Sequence, residues 1–287
     1  KYLFKASIRK DGSSRFGKAN RYGIFPAFSA GWVLSKEDFL SSSDVISLLK
    51  LRASWGKTGN AEIGNFASRD LWNAASYKQL PAIEPAQPES PNLTWEKSSQ
   101  TDIGLDFGVF NNRVSGEIDF YNKKTNGLLF YQNIPYTSGY SNIYRNIGDM
   151  KNTGFEMVIN TQNIKKDNFT WDTNFNVAKN NNEITALPDD NRDQIIGNVI
   201  RRVGERLDSF YLVEYAGVDP NNGDALFYKN TLNPDGTLDK TKTNDYSEAQ
   251  RIIAGSSTPD WIAGLTNTVE YKNFDFSFTF YGEFGGN

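Results

Sequence analysis

Four carboxylates lying close together, Asp102 and Asp106, then Glu117 and Asp119, are the first residues with the types and spacing for chemistry. Such pairs can divide general acid and base work at a glycosidic bond, and their separation sets the stereochemical outcome. Both pairs fall in alternating stretches beside a short turn, however, where charge on the polar side of a strand reads as a wet-facing surface. The run from Gly12 to Gly17 in DGSSRFG has the composition of a phosphate cradle. No helix follows it, so the N–H cluster of a helix N-terminus is missing and a tight outer turn is expected. Asp219 to Asp224, DPNNGD, has calcium-loop character but lacks the later bidentate Glu, leaving turn chemistry.

Composition narrows the chemistry further. The 287 residues include no His and no Cys, which removes the Ser-His-Asp triad, thiolate nucleophiles and His- or Cys-ligated metals. No catalytic residue and no metal or other cofactor is expected. A net charge of -3 gives no footprint for nucleic acid. A mean hydropathy of -0.57, with no long apolar run, excludes a helical membrane protein. Disorder is equally excluded, because 20 Phe, 14 Tyr and 6 Trp supply ample surface to bury.

The elements that position these residues are strands. Ile103, Leu105, Phe107 and Val109 alternate with Asp102, Gly104, Asp106 and Gly108, and Phe274, Phe276, Phe278 and Phe280 alternate with Asp275, Ser277 and Thr279. The same period of two runs through Tyr2 to Ile8, Tyr22 to Leu34, Leu49 to Trp55, Val114 to Tyr121, Phe155 to Asn160 and Phe169 to Val177. A soluble sandwich would produce alternation too, but three features favour a transmembrane barrel. The runs are about ten residues long, against about five to six for soluble strands. The apolar side carries aromatics at strand ends: Tyr22, Trp32, Trp55, Trp171 and Phe280. The polar side carries Lys5, Arg9, Arg52, Asp102, Asp106, Glu117, Asp119 and Glu156, which suits a wet lumen in contact with a plug.

Connections alternate between two classes. Tight turns are expected at Asn111 to Arg113, Lys165 to Asn168 and Lys272-Asn273, with a small helix possible within Glu37 to Leu49. Between them lie long polar links, Asp11 to Asn20, Thr58 to Thr94, Asn126 to Ile147 and Asn180 to Pro259. Short turns at one end and long loops at the other are the layout of an outer-membrane barrel. The 180–259 segment is expected to be one long extracellular loop with a hairpin, Phe210 to Tyr215 against Ala225 to Tyr228. The expected fold class is therefore all-β, a transmembrane antiparallel β-barrel of which residues 1–287 supply about nine strands. An odd strand count with two open edges is not tolerated in lipid, so the chain is expected to be a fragment of a larger barrel.

These segments resemble the SusC/RagA-like TonB-dependent transporters of the Bacteroidota outer membrane. The resemblance is carried by FKASIRKDGSSRFGKANRYGIFPAFSAGWVLSKEDF (Phe4 to Phe39), LKLRASWGKTGN (Leu49 to Asn60), NLTWEKSSQTDIGLDFGVFNNRVSGEIDFYNKKTNGLL (Asn92 to Leu129), NIGDMKNTGFEMVINTQNI (Asn146 to Ile164) and STPDWIAGLTNTVEYKNFDFSFTFYGEFG (Ser257 to Gly285). It implies a plugged barrel of roughly 22 strands. It also implies import of oligosaccharides or peptides, a SusD-like lipoprotein partner, and energy from the TonB complex acting on a plug. No plug or TonB box can be assigned to any residue of this sequence. Sugar rings stack on aromatic faces, so outer-link aromatics are the expected ligand contacts: Trp72, Tyr77, Tyr136, Tyr140, Tyr144, Tyr211 and Tyr215. The competing expectation, a secreted all-β protein that binds or cleaves carbohydrate, would use the same aromatics and carboxylates.

Overall fold

The computed structural model describes residues 1–286, the side chain of Asp189 excepted. Nine strands form one antiparallel meander in which each pairs with the next in sequence. They are β1 (Tyr2–Gly12), β2 (Tyr22–Val33), β3 (Ile46–Asn60), β4 (Glu96–Val109), β5 (Val114–Asn126), β6 (Asp149–Lys166), β7 (Phe169–Ala186), β8 (Trp261–Tyr271) and β9 (Phe274–Phe284).

Register converts the sequence alternation into two continuous faces. One row crosses all nine strands as Tyr2, Trp32, Leu51, Leu105, Ile118, Met157, Val177, Ala263 and Gly282. A row on the opposite face reads Lys5, Ser29, Ser54, Asp102, Tyr121, Gly154 and Asn180. No other element of the described residues covers the apolar face: Phe4 is 82% exposed, Ile8 76% and Phe274 78%. A surface of this extent is untenable in water and is what a sheet facing hydrocarbon requires. The first row starts at the first residue of β1, Tyr2, and finishes near the last residue of β9, at Gly282, so the strands tilt as barrel staves do.

Three of the four connections at one end are tight, and the fourth, after β2, is longer. The four are 34–45, which holds a 3-10 turn (Leu34–Lys36) and a four-residue helix (Asp38–Ser41), then 110–113, 167–168 and 272–273. The helix is far shorter than the 37–49 span allows, because β3 pairing begins already at Ile46. In the turn after β4, Phe110, Asn111 and Asn112 are all left-handed, at φ 54, 57 and 62. Asn accepts this region readily and Phe does not, so the turn is held from outside. The Arg113 guanidinium donates to the carbonyls of Gln162 and Asn163, pinning it to β6.

The links at the other end, 13–21, 61–95, 127–148 and 187–260, are long and structured. β6 and β7 each run 18 residues, on the order of 60 Å of strand, well beyond a hydrophobic band of about 25 Å. The structure departs from two expectations. The last long link begins at residue 187, since Asn180 to Asn182 continue the β7 ladder opposite Gly154 to Asn152. Above the bilayer both faces of a strand are wet, so alternation fades while pairing persists. The expected hairpin also divides. Tyr215–Val218 does pair with Ala225–Tyr228, but Ser209–Val213 pairs with Val199–Arg201 and Arg251–Gly255 in a separate four-stranded sheet.

Candidate functional site: the inner wall and the outer platform

On the polar face, Arg52 of β3 is the hub. Its guanidinium bonds Asp106 of β4 at 2.5 Å and reaches across to Asp119 of β5 at 3.0 Å, with Glu117 at 3.6 Å. Lys50 holds the same Asp106 at 2.9 Å. Arg52 spans two strand spacings because the residue between is Gly104. A Cβ there would stand 2.2 Å from Asp119 Oδ1 and 2.9 Å from Arg52 Cζ. Asp102 accepts from Ser54 at 3.0 Å and Gln100 at 2.6 Å. These carboxylates, read in the sequence as wet-facing charge in preference to acid/base pairs, are held by cations, a hydroxyl and an amide of the same wall. Glu156 lies in the same row as Asp119, while Lys5 and Arg9 lie on β1, Arg9 paired with Asp11 at 2.7 Å.

The device of a long side chain laid over a glycine recurs one step further round. The Tyr121 hydroxyl donates to Asn180 at 3.1 Å across Gly154, where a Cβ would come within 2.4 Å of the ring. Beyond it the wall changes character to amides and hydroxyls, with Asn174 donating to Asn160 at 2.6 Å and Thr266 meeting Thr279 at 2.9 Å.

At the outer end, paired positions of β2 and β3 stop at Ala27 and Gly56, and a buried apolar cluster fills the gap. It contains Phe16, Phe25, Ile63, Ala67, Leu93 and Trp95. The DGSSRFG run is therefore more than a turn: it delivers Phe16, 1% exposed, into this core. Arg15 donates to the Ala61 carbonyl at 3.1 Å, and the Ser68 hydroxyl donates to the Arg15 carbonyl at 3.1 Å. Asn146 then ties the 127–148 link to the same platform. Its amide donates to the Thr94 carbonyl at 2.7 Å and its Oδ1 accepts from the Thr94 N–H at 2.7 Å, copying a strand pair with one side chain.

The expected ligand aromatics are spread over this platform. Trp72 and Tyr77 lie in a hairpin, Leu71–Tyr77 with Leu80–Gln87. Trp72 Nε1 donates to Asp70 at 3.0 Å, and the Tyr140 hydroxyl from the neighbouring link donates to the other oxygen at 3.1 Å. Partial desolvation and that carboxylate raise the Tyr140 hydroxyl pKa above its ordinary value. Tyr144 packs on Tyr131 and against the buried cluster, and Tyr136 stands exposed at its hairpin tip. Tyr211 and Tyr215 are not brought to this group: they sit in the two small sheets of the 187–260 link. Asp70 and Asn146 escape sequence reasoning because neither residue type advertises a bond made across two loops. In DPNNGD, Asp219 Oδ1 accepts from the Asn221 N–H and side-chain amide, a local turn.

An antiparallel sheet with its apolar side turned outward, its charged side turned inward, and short turns opposite long loops is the wall of an outer-membrane β-barrel. The sequence profile described as "TonB dependent receptor-like, beta-barrel" matches residues 1–287, and the chain belongs to that family. It is 37% identical over 305 residues to TonB-dependent receptor P3 of Formosa agariphila, covering 100% of this chain and 30% of that protein. It is 38% identical over 304 residues to TonB-dependent receptor SusC of Bacteroides thetaiotaomicron, covering 97% and 29%. The solved structure of the RagAB peptide transporter matches with a TM-score of 0.89 and 33% identity, over 99% of this chain and 32% of that one. The chain thus spans less than a third of the length of these relatives. Membership places it in the outer membrane and removes the secreted soluble alternative.

Proposed function

We propose that this chain forms part of the wall of a TonB-dependent importer that brings oligosaccharides or peptides through the outer membrane, a conduit with no catalytic role. The observation that carries the reading is the inward charge network on Arg52, which furnishes a fixed polar wall for a plug to lie against and for hydrated solute to pass. On this reading Lys5, Arg9, Arg52, Asp102, Asp106, Glu117, Asp119 and Glu156 face the lumen and the plug. The 187–260 link is extracellular. A SusD-like lipoprotein delivers solute to the outer platform, and the TonB complex acts through a plug outside the residues described. The RagAB structures are named for a peptide transporter, which keeps peptide beside oligosaccharide as the solute class.

Trp72, Tyr77, Tyr136, Tyr140 and Tyr144 supply contact faces at the mouth, Asp70 orienting Trp72 and Tyr140 from two links. Tyr211 and Tyr215 would act from the far side of the mouth. The test is uptake of labelled oligosaccharide and peptide by cells carrying the full-length protein. Trp72→Ala with Tyr77→Ala should lower uptake several-fold while the purified barrel keeps its heat-dependent gel shift. Undiminished uptake would remove both residues from the contact set.

A further inference from the structure

The lipid-facing side ends, at its outer rim, in a belt of lysines. Lys10, Lys57, Lys124 and Lys179 lie on four of the five ascending strands, β1, β3, β5 and β7, each on the same face as the apolar rows. Three stand directly over an aromatic of that face: Lys10 over Tyr22 at 4.9 Å, Lys57 over Trp55 at 5.8 Å and Lys179 over Trp261 at 4.9 Å. Height supports the grouping. Val114 to Lys124 and Phe169 to Lys179 are each about ten steps of roughly 3.4 Å, and with a strand tilt near 40° this is roughly 26 Å, the top of a band about 25 Å tall.

The belt is densest between β3 and β6. Lys57, Ser99, Lys124 and Lys151 occupy one row across four adjacent strands, with Lys97 two residues further out on β4. Lys124 and Lys151 are direct cross-strand partners, an arrangement that destabilises a sheet unless an anion lies between the charges. Among the described residues no carboxylate comes within ion-pair distance of Lys57, Lys97, Lys124 or Lys151. Asp149 accepts from the Gly127 N–H instead, and Glu183, across from Lys151 in the ladder, forms no ion pair with any described residue.

We propose that this row binds the phosphate of a lipid headgroup in the outer leaflet, with Lys57, Lys124 and Lys151 as the ligating cations, Ser99 as a neutral donor between them and Lys97 closing the outer side. The site is continuous with the hydrocarbon-facing surface, so acyl chains lie on Phe120 and Phe155 while the phosphate meets the ammonium groups above. Its neutral control is one residue away: Lys123 projects to the opposite face of the same strand.

The inference rests on the outward face lying in lipid. Detergent-purified full-length protein is incubated with bisphosphorylated lipid A, with the same lipid stripped of phosphate, or with inorganic phosphate, and bound lipid is counted by native mass spectrometry. The expected result is retention of the phosphorylated lipid alone, undisplaced by inorganic phosphate. It should fall at least five-fold in Lys57→Gln/Lys124→Gln/Lys151→Gln, be kept in the matching Arg variant, and be unchanged in Lys123→Gln. Equal retention of the phosphate-free lipid by the unaltered protein would overturn the proposal without any variant. So would loss in Lys123→Gln matching that in the triple variant. A chain that stays monodisperse without detergent would instead sink the membrane reading itself, whereas a heat-modifiable barrel indifferent to phosphate sinks only the lipid site.

Discussion

The membrane wall and the outer platform solve the same problem in opposite directions. In the wall, Phe4, Ile103 and Phe274 point away from the protein and the charges of Arg52 and Asp106 point into it. In the platform at the outer ends of the same strands, Phe16, Leu93 and Trp95 are buried together, as in a protein dissolved in water. The difference follows from the solvent alone. Hydrocarbon offers apolar side chains no reason to cluster, so the wall depends on its continuous hydrogen-bond ladder, while the platform must gather a hydrophobic core of its own.

Substitutions that make each region behave like the other test this contrast. The largest effect is expected at Phe16. Phe16→Ala should cost the platform about 3–5 kcal/mol, the range for emptying a buried aromatic site. Amide exchange and proteolysis should then rise in 61–70 and 88–95 while the heat-dependent gel shift of the barrel stays put. Unchanged protection in those links would mean that Phe16 is not their anchor. Next comes Ile118→Arg, a charge put near mid-bilayer on the outward face, expected to cost the assembled barrel about 2–4 kcal/mol. The same Arg at Thr266, on the inward face, should cost near nothing in urea unfolding from detergent. Equal losses at the two sites would abolish the assignment of faces.

A smaller effect is expected where the wall's charges cross one another. Gly104→Ala drives a methyl group into the space between Arg52 and Asp119. The lost charge-assisted bond should cost about 1–2 kcal/mol. Arg52→Gln should cost a comparable amount, and the two together should fall short of the sum because both remove one contact. Strict additivity would show that Gly104 serves the backbone and not the guanidinium.

Much of this was legible beforehand, for a physical reason. Where a strand separates lipid from water, every second residue is dictated by the solvent it meets, so Ile103 to Val109 and Phe274 to Phe280 announce both their conformation and their faces. Legibility fails where water lies on both sides. Asn180 to Asn182 look like loop residues and are strand, and Ser209–Val213 finds one of its two partners far downstream, at Arg251–Gly255. At the mouth, the aromatic types were visible, but Asp70, which gathers two of them, and Asn146, which imitates a backbone, act through long-range pairing that no local period records. The glycines 104 and 154 were visible as residues and silent as to purpose until the side chains lying over them were placed.

The smallest expected effect separates the regions by pH. In the distal sheet formed by Tyr215–Val218, Ala225–Tyr228 and Lys242–Thr243, carboxylates hold the turns. Hydrogen bonds from Thr237, Thr241 and Ser247 lower the pKa values of Asp235, Asp239 and Asp245, and Lys229 lowers that of Glu248. A carboxylate whose folded pKa is depressed contributes stability that is fully present above its ordinary value. For Asp, at 3.8, that contribution drains away as the pH falls below this value and through the folded pKa. All four groups are exposed to solvent, so the expectation is a local loosening of 215–248 and not unfolding. Amide exchange corrected for intrinsic rates should accelerate there between pH 5 and about pH 3, while the outward-facing segments of β5 and β6 keep their protection. Acceleration of equal size in both regions would show that acid acts on the barrel as a whole, and that the wall's ladder is not insulated from water as its outward face requires.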